Sequence, residues 1–149
     1  MQITATAVFI KPLKISKKKK FSGSQKSQSD FLGDRKVLLE KRRDDEDNYA
    51  GLWALPGGHK RKKESIKQTL KREMKEELHI HIKEALPLGM FPDIDPTSKQ
   101  CYHHHAFLCT TWHDHITKTT EEERVKWFNL KKLPSTIRTV DKKILRKVK

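Results

Sequence analysis

Hydrophobic positions follow two different periods along this chain. ITATAVFI (residues 3–10) and KVLLEK (36–41) have the alternating or continuous apolar character of strands, as do IHIKEALPLGMF (80–91), QCYHHHAFLCTTW (100–112) and RVKWFNL (124–130). Between the second and third of these runs the period changes. Over residues 64–78, Ile66, Leu70, Met74 and Leu78 stand four apart, which predicts a helix with one buried stripe and Glu64 near the positive end of its dipole. A Pro-Gly-Gly turn precedes that helix, and a closing basic helix is expected within residues 135–149, beginning near Asp141. Strands, a half-buried helix, more strands and a closing helix predict an α/β sandwich built on a mixed sheet.

Composition narrows this picture. A chain of 149 residues with 34% hydrophobic side chains closes one modest core, so one domain spanning 1–149 is expected. Cys101 and Cys109 lie eight apart in one strand-like run, too far apart to bridge if the strand is regular, which fits a reducing compartment. MQITATAVFI lacks a basic leader and no apolar run reaches membrane-spanning length, so a soluble cytoplasmic protein without a membrane partner is expected, as monomer or homodimer.

The net charge of +14 raises the question of nucleic acid, and its placement matters more than its size. Residues 11–36 hold nine Lys/Arg against two acids, residues 131–149 hold eight against one, and everything else is balanced at sixteen of each. The first block is rich in Lys, Ser, Gln and Gly without an apolar period, as in a mobile surface insertion between two strands. RNA is a possible partner for the two basic segments, although only Phe21 and Phe31 could stack on bases in the first.

The helix itself carries candidate chemistry. At 100° per residue, Glu73, Glu76 and Glu77 share an arc of about 100°, with Glu73 and Glu77 beside the apolar stripe. Carboxylates that close repel one another unless a cation lies among them. Mg²⁺, or Mn²⁺, is the natural partner, because a hard divalent ion takes oxygen ligands and commonly bridges to substrate phosphates. KREMKEEL alone also fits an ordinary solvated helix with i,i+4 pairs.

The wider pattern separates these readings. Gly58, then Glu64, Arg72, Glu73, an apolar Met74, Glu76 and Glu77 at their spacings resemble the Nudix box, and LPGG resembles its entry turn. VLLEKR ahead of GLWALPGG, and WFNLKKLP near the end, resemble MutT-like members, so the likeness covers most of the chain except the basic insertion and the tail. The resemblance implies a Nudix-type α/β/α sandwich with a mixed β-sheet and a metal-dependent hydrolase that splits a nucleoside diphosphate linked to some group X. A MutT-like (d)NTP pyrophosphohydrolase releasing NMP and pyrophosphate is the leading expectation, with oxidised purine nucleotides as one substrate class. An ADP-ribose or nucleotide-sugar pyrophosphatase is the alternative, and an RNA-associated module or RNA 5′-end pyrophosphohydrolase is a third.

By the same resemblance, Glu73, Glu76 and Glu77 match metal-binding carboxylates, Gly58 the glycine whose carbonyl adds a ligand, and Glu64 and Arg72 a supporting pair. The base that deprotonates the water is Glu73 or a glutamate of the turn 121–123, represented by Glu122. His79 stands where the family has a helix-ending glycine. Asp141, at its spacing from Trp127 and Leu133-Pro134, matches an aspartate that contacts the purine in relatives acting on oxidised nucleotides, and it could equally cap the last helix. Cys101, His103, His105 and Cys109 share a strand face but make an incomplete metal set, and Trp53, Trp112 and Trp127 are expected in packing.

Overall fold

The computed structural model describes residues 1–12, 35–42, 51–114, 116 and 124–148. Its elements are β1 (Gln2–Val8), β2 (Ile10–Pro12), β3 (Arg35–Lys41), β4 (Trp53–Ala54), β5 (Gly57–His59), α1 (Ile66–Leu78), β6 (His81–Ile94), β7 (Cys101–His113), β8 (Val125–Asn129) and α2 (Thr139–Arg146). One mixed sheet has the order β5-β1-β7-β6, with β1 parallel to β7 and the other neighbours antiparallel. The second is antiparallel, β3 pairing with β2, β4 and β8.

Alternation along β1 and β7 decides which side each helix covers. Ala5, Ala7, Phe9, Phe107 and Cys109 pack against Leu70, Met74 and Leu78 of α1. Val8 and Ala106 face the other way, into a cluster with Val140, Ile144 and Leu145 of α2. The helices thus flank the sheets in an α/β/α arrangement. Trp53 meets Phe128 edge-on at 4.8 Å and Trp112 meets Phe9 at 5.1 Å, both in packing.

Several boundaries differ from the sequence expectation, each for a local reason. The first helix starts at Ile66 rather than 64, because Ser65 and Gln68 form a reciprocal capping box that fixes the entry. The last helix is shorter than 135–149 and begins before Asp141: Arg138 is its extended N-cap, and Ile137 just before it bridges to Trp53. β6 runs past residue 91 to Ile94, tolerating Pro87 and Gly89 through register shifts against β7. The basic block 11–36 is described only at its ends, where Lys11 pairs with Lys36 and Pro12 with Arg35; the rest lies outside the described residues. No helix among the described residues is long and apolar enough to cross a membrane.

His79 closes α1 in the left-handed conformation, φ 57° and ψ 35°, its N–H donating to the Lys75 and Met74 carbonyls. The helix therefore ends as a glycine cap would end it, with a side chain in its place.

Candidate active site

Pairing of β1 with β5 sets Ala5 opposite Gly58 and Thr6 opposite Gly57, and α1 crosses close above. Both glycines are required by space. A Cβ on Gly57 would overlap the Ala5 carbonyl oxygen, and one on Gly58 would lie 2.5 Å from Glu73 Oε1. Lack of side chains lets the turn backbone and the Glu73 carboxylate share one edge of a cleft of about 440 Å³.

Arg72 organises that edge. Its Nε and Nη2 donate to the two oxygens of Glu64, Nη2 also to the His59 carbonyl at 2.9 Å, and Nη1 to Glu73 at 2.6 Å and Glu76 at 3.2 Å. Glu64 in turn accepts from the Arg61 N–H and the Thr69 hydroxyl. The Arg72 hydrogen bond holds the Glu64 carboxyl down at about 2, and Glu64 and Glu73 hold the Arg72 guanidinium firmly charged. Loop 59–64 and helix α1 are thereby tied together around one guanidinium.

The three box carboxylates differ in exposure. Glu73 and Glu77 turn inward, whereas the Glu76 side chain is 50% exposed at the rim, so only two of the three are sequestered. Glu77 Oε2 is buried with no hydrogen-bond partner among the described residues. Burial, followed by the charges of Glu40 and Glu73, pushes the Glu77 carboxyl up to about 10, with Arg42 opposing. Glu40, from β3, comes within hydrogen-bonding reach of Glu77 and was not foreseen from the sequence.

A buried carboxylate oxygen without a partner, beside two more carboxylates, is what a divalent cation would satisfy. Among the described residues, no three His, Cys, Asp or Glu side chains converge into a closed cage; Glu73 and Glu76 each give one oxygen to Arg72, and Glu76 also pairs with Arg61 at 3.8 Å. An open, partial oxygen set fits Mg²⁺, which keeps several waters and completes its shell on phosphate, better than it fits a caged structural ion.

The rest of the cleft has a different character. Arg42, Lys60, Arg61 and Arg138 line it together with Arg72, and Thr4, Thr6, Tyr102 and His104 supply further polar lining. Register across the sheet places His59, Thr4 and His104 in one row. Asp141 is wholly buried and does not line the cleft; its two oxygens accept from Arg138 Nε at 2.6 Å and Nη2 at 3.0 Å, so that Arg138 faces the cleft with Asp141 behind it. Gly58, Glu64, Arg72, Glu73, Glu76 and Glu77 are thus brought together, while residues 121–123, with Glu122, lie outside the described residues. Cys101 and Cys109 are free thiols, and the second is buried.

The NUDIX domain profile matches residues 31–148. The crystal structure of a MutT NUDIX hydrolase from Burkholderia pseudomallei superposes with a TM-score of 0.73 at 22% identity, covering 99% of this chain and 98% of that one. A MutT protein from Methanosarcina mazei Go1 gives 0.69 at 19% identity, covering 97% and 90%, and a mutT/nudix family protein from Listeria innocua gives 0.67 at 19%, covering 99% and 90%. No curated protein gave a significant sequence match. The chain therefore belongs to the Nudix family of hydrolases acting on a phosphoanhydride bond, and it shares its fold with these MutT structures.

Proposed function

We propose that the protein is a divalent-metal-dependent nucleoside triphosphate pyrophosphohydrolase, converting a purine nucleotide, oxidised forms included, to the monophosphate and pyrophosphate. The observation that carries this reading is the unpartnered, buried oxygen of Glu77 beside Glu40 and Glu73, opening on a cleft that also carries Arg42, Lys60, Arg61 and Arg138. Carboxylates alone would repel a polyphosphate, and the cations alone give no reason to bury Glu77. A metal–polyphosphate complex suits both.

Glu73, Glu76 and Glu77, with the Gly58 carbonyl, would hold Mg²⁺, or Mn²⁺ in its place. When bound, the ion stabilises charge on phosphate oxygens and lowers the pKa of a water. The chain's own groups do the rest. Arg72 fixes Glu73 and Glu76 in place, and Glu64 fixes Arg72. Arg42, Lys60 and Arg61 neutralise charge that grows on the departing pyrophosphate. Water adds to phosphorus, the bridging P–O bond breaks, and the water's proton passes to a carboxylate, for which Glu73 and Glu122 are the candidates. Free thiols in both cysteines suit a cytoplasmic location.

The test is a Mg²⁺-activated screen of nucleoside triphosphates, oxidised purine triphosphates, ADP-ribose, nucleotide sugars and 5′-triphosphate or capped RNA, with both products identified. Preferred turnover of a triphosphate to monophosphate and pyrophosphate supports the reading. Preference for ADP-ribose or RNA would overturn it in favour of that substrate.

A further inference from the structure

His104 is 3% exposed and contributes to the lining of the cleft, yet the hydrolysis described above makes no use of it. Its Nδ1 lies 2.7 Å from Thr4 Oγ1, and its Nε2 lies 3.6 Å from Asp93 Oδ2. The second contact is longer than an ordinary hydrogen bond, so Nε2 faces the carboxylate without a hydrogen bond of normal length. Tyr102 stacks on the ring, planes 12° apart and centroids 5.7 Å apart, which fixes its orientation.

The proton positions follow from these partners. Burial, then the nearby Arg138 charge, depresses the His104 ring to about 4, so it is neutral at pH 7 and carries one N–H. A carboxylate can only accept, so the single ring proton belongs on Nε2, toward Asp93. Nδ1 is then a lone pair, and the 2.7 Å contact requires the Thr4 hydroxyl to donate into it. A hydroxyl has one proton. With that proton committed to His104, Thr4 Oγ1 retains only lone pairs.

We propose that Thr4 is a specificity-determining residue of the nucleotide site: locked by His104 as an acceptor at the cleft surface, its oxygen reads an N–H donor on the edge of the substrate's base. This rests on the nucleotide reading above and deepens it. Thr4 touches the substrate, whereas His104 and Asp93 are positioning residues that act through it. A base that brings a ring or amino N–H to this oxygen is accepted. A base edge with only acceptors meets lone pair against lone pair and leaves both sides buried and unpaired.

The experiment compares ATP and GTP, whose bases carry edge N–H groups, with purine riboside triphosphate, whose base carries none. Steady-state kinetics with Mg²⁺ should give wild-type kcat/KM at least about tenfold higher for ATP or GTP, chiefly through KM. Thr4→Val should bring the ratio close to one, and Thr4→Ser, which keeps the hydroxyl, should restore it. His104→Phe keeps the stack on Tyr102 but frees the hydroxyl proton, so it too should erase the preference. Melting temperatures of all four proteins identify variants that are merely destabilised, and a purely structural role would lower rates on the three nucleotides alike. Hydrolysis with a wild-type ratio near one, or an unchanged ratio in folded Thr4→Val or His104→Phe, overturns this inference and leaves the hydrolase reading standing. No hydrolysis of any nucleotide by the wild type overturns that reading, and this inference with it.

Discussion

Adjacent glycines allow one added methyl group to separate stability from activity. In Gly57→Ala the new Cβ would lie 3.0 Å from Thr6 Cα and overlap the Ala5 carbonyl oxygen, both backbone atoms of the inner strand β1. Backbone cannot rotate aside, so the cost should reach the top of the overpacking range, about 3 kcal/mol. For 149 residues that lowers Tm by roughly 6–12 °C. In Gly58→Ala the Cβ meets the Glu73 carboxylate instead, 2.5 Å from Oε1 where ordinary contact is about 3.5 Å. A terminal carboxylate can swing away by about 1 Å, at the expense of its 2.6 Å bond to Arg72, and Tm should fall by no more than about 2–4 °C. Misplacing a reacting group by 1 Å costs about 10²-fold, or about 2.7 kcal/mol of transition-state stabilisation. Pyrophosphate release measured by coupled assay, alongside thermal melts, gives both quantities. The reasoning is refuted if Gly58→Ala retains wild-type kcat/KM, or if it melts as low as Gly57→Ala.

Three further expectations come from single residues. Glu77 rises from an ordinary 4.5 to about 10 on folding, so between those values the folded chain keeps a proton that the unfolded chain releases. Metal-free stability should then be greatest below pH 4.5 as far as this group is concerned, and fall toward pH 10 with a slope of up to about 1.4 kcal/mol per pH unit. Glu77→Gln should flatten that slope in melts with chelator and lose most of the Tm gain that Mg²⁺ gives the wild type; an unchanged slope would remove Glu77 as its source. His79→Gly replaces a left-handed histidine, relieving about 1–2 kcal/mol of strain while adding about 0.5–1 kcal/mol of unfolded-state entropy. The net expectation is a Tm higher by a few degrees with activity intact, and a lower Tm would show that the His79 side chain makes a contact worth more than the strain. Asp141→Ala should cost about 3–5 kcal/mol, because it breaks a buried ion pair by removing the carboxylate that accepts two Arg138 N–H groups, well beyond the ~1 kcal/mol of a lost helix cap; a loss near 1 kcal/mol in chemical denaturation would contradict the pairing.

The carboxylate edge was legible in the sequence because it lies on one helix, where a fixed period of 3.6 turns spacing into direction. Gly58 was legible only through its place in the Nudix-box pattern. Glu40 and Thr4 were not, since their place in the site depends on register between strands far apart in sequence: Thr4 meets His104 across a hundred residues through the parallel β1–β7 pair. A signal for this existed. ITATAV puts Thr4 and Thr6 on one face of an otherwise apolar strand, and Tyr102 and His104 alternate against His103 and His105 in the same way. The face shared by Cys101 and His103 is the opposite one, and it does not line the cleft. Glu64 suits the helix dipole and so masks the capping box that follows at Ser65 and Gln68, although its side chain is spent on Arg72. Asp141 taken by itself suits either a base contact or a cap, but Arg138, three residues before it, donates to both of its carboxylate oxygens.

The most direct test of the central claim is separation of products after incubating the protein with a purine nucleoside triphosphate, with and without Mg²⁺, for the wild type and for Glu76→Gln and Glu77→Gln. Nucleoside monophosphate and pyrophosphate in equal amounts, formed only with the divalent ion and reduced by orders of magnitude in both variants at unchanged fold, is the predicted result. Nucleoside diphosphate and orthophosphate as products, or full turnover in chelator or in both variants, would contradict it.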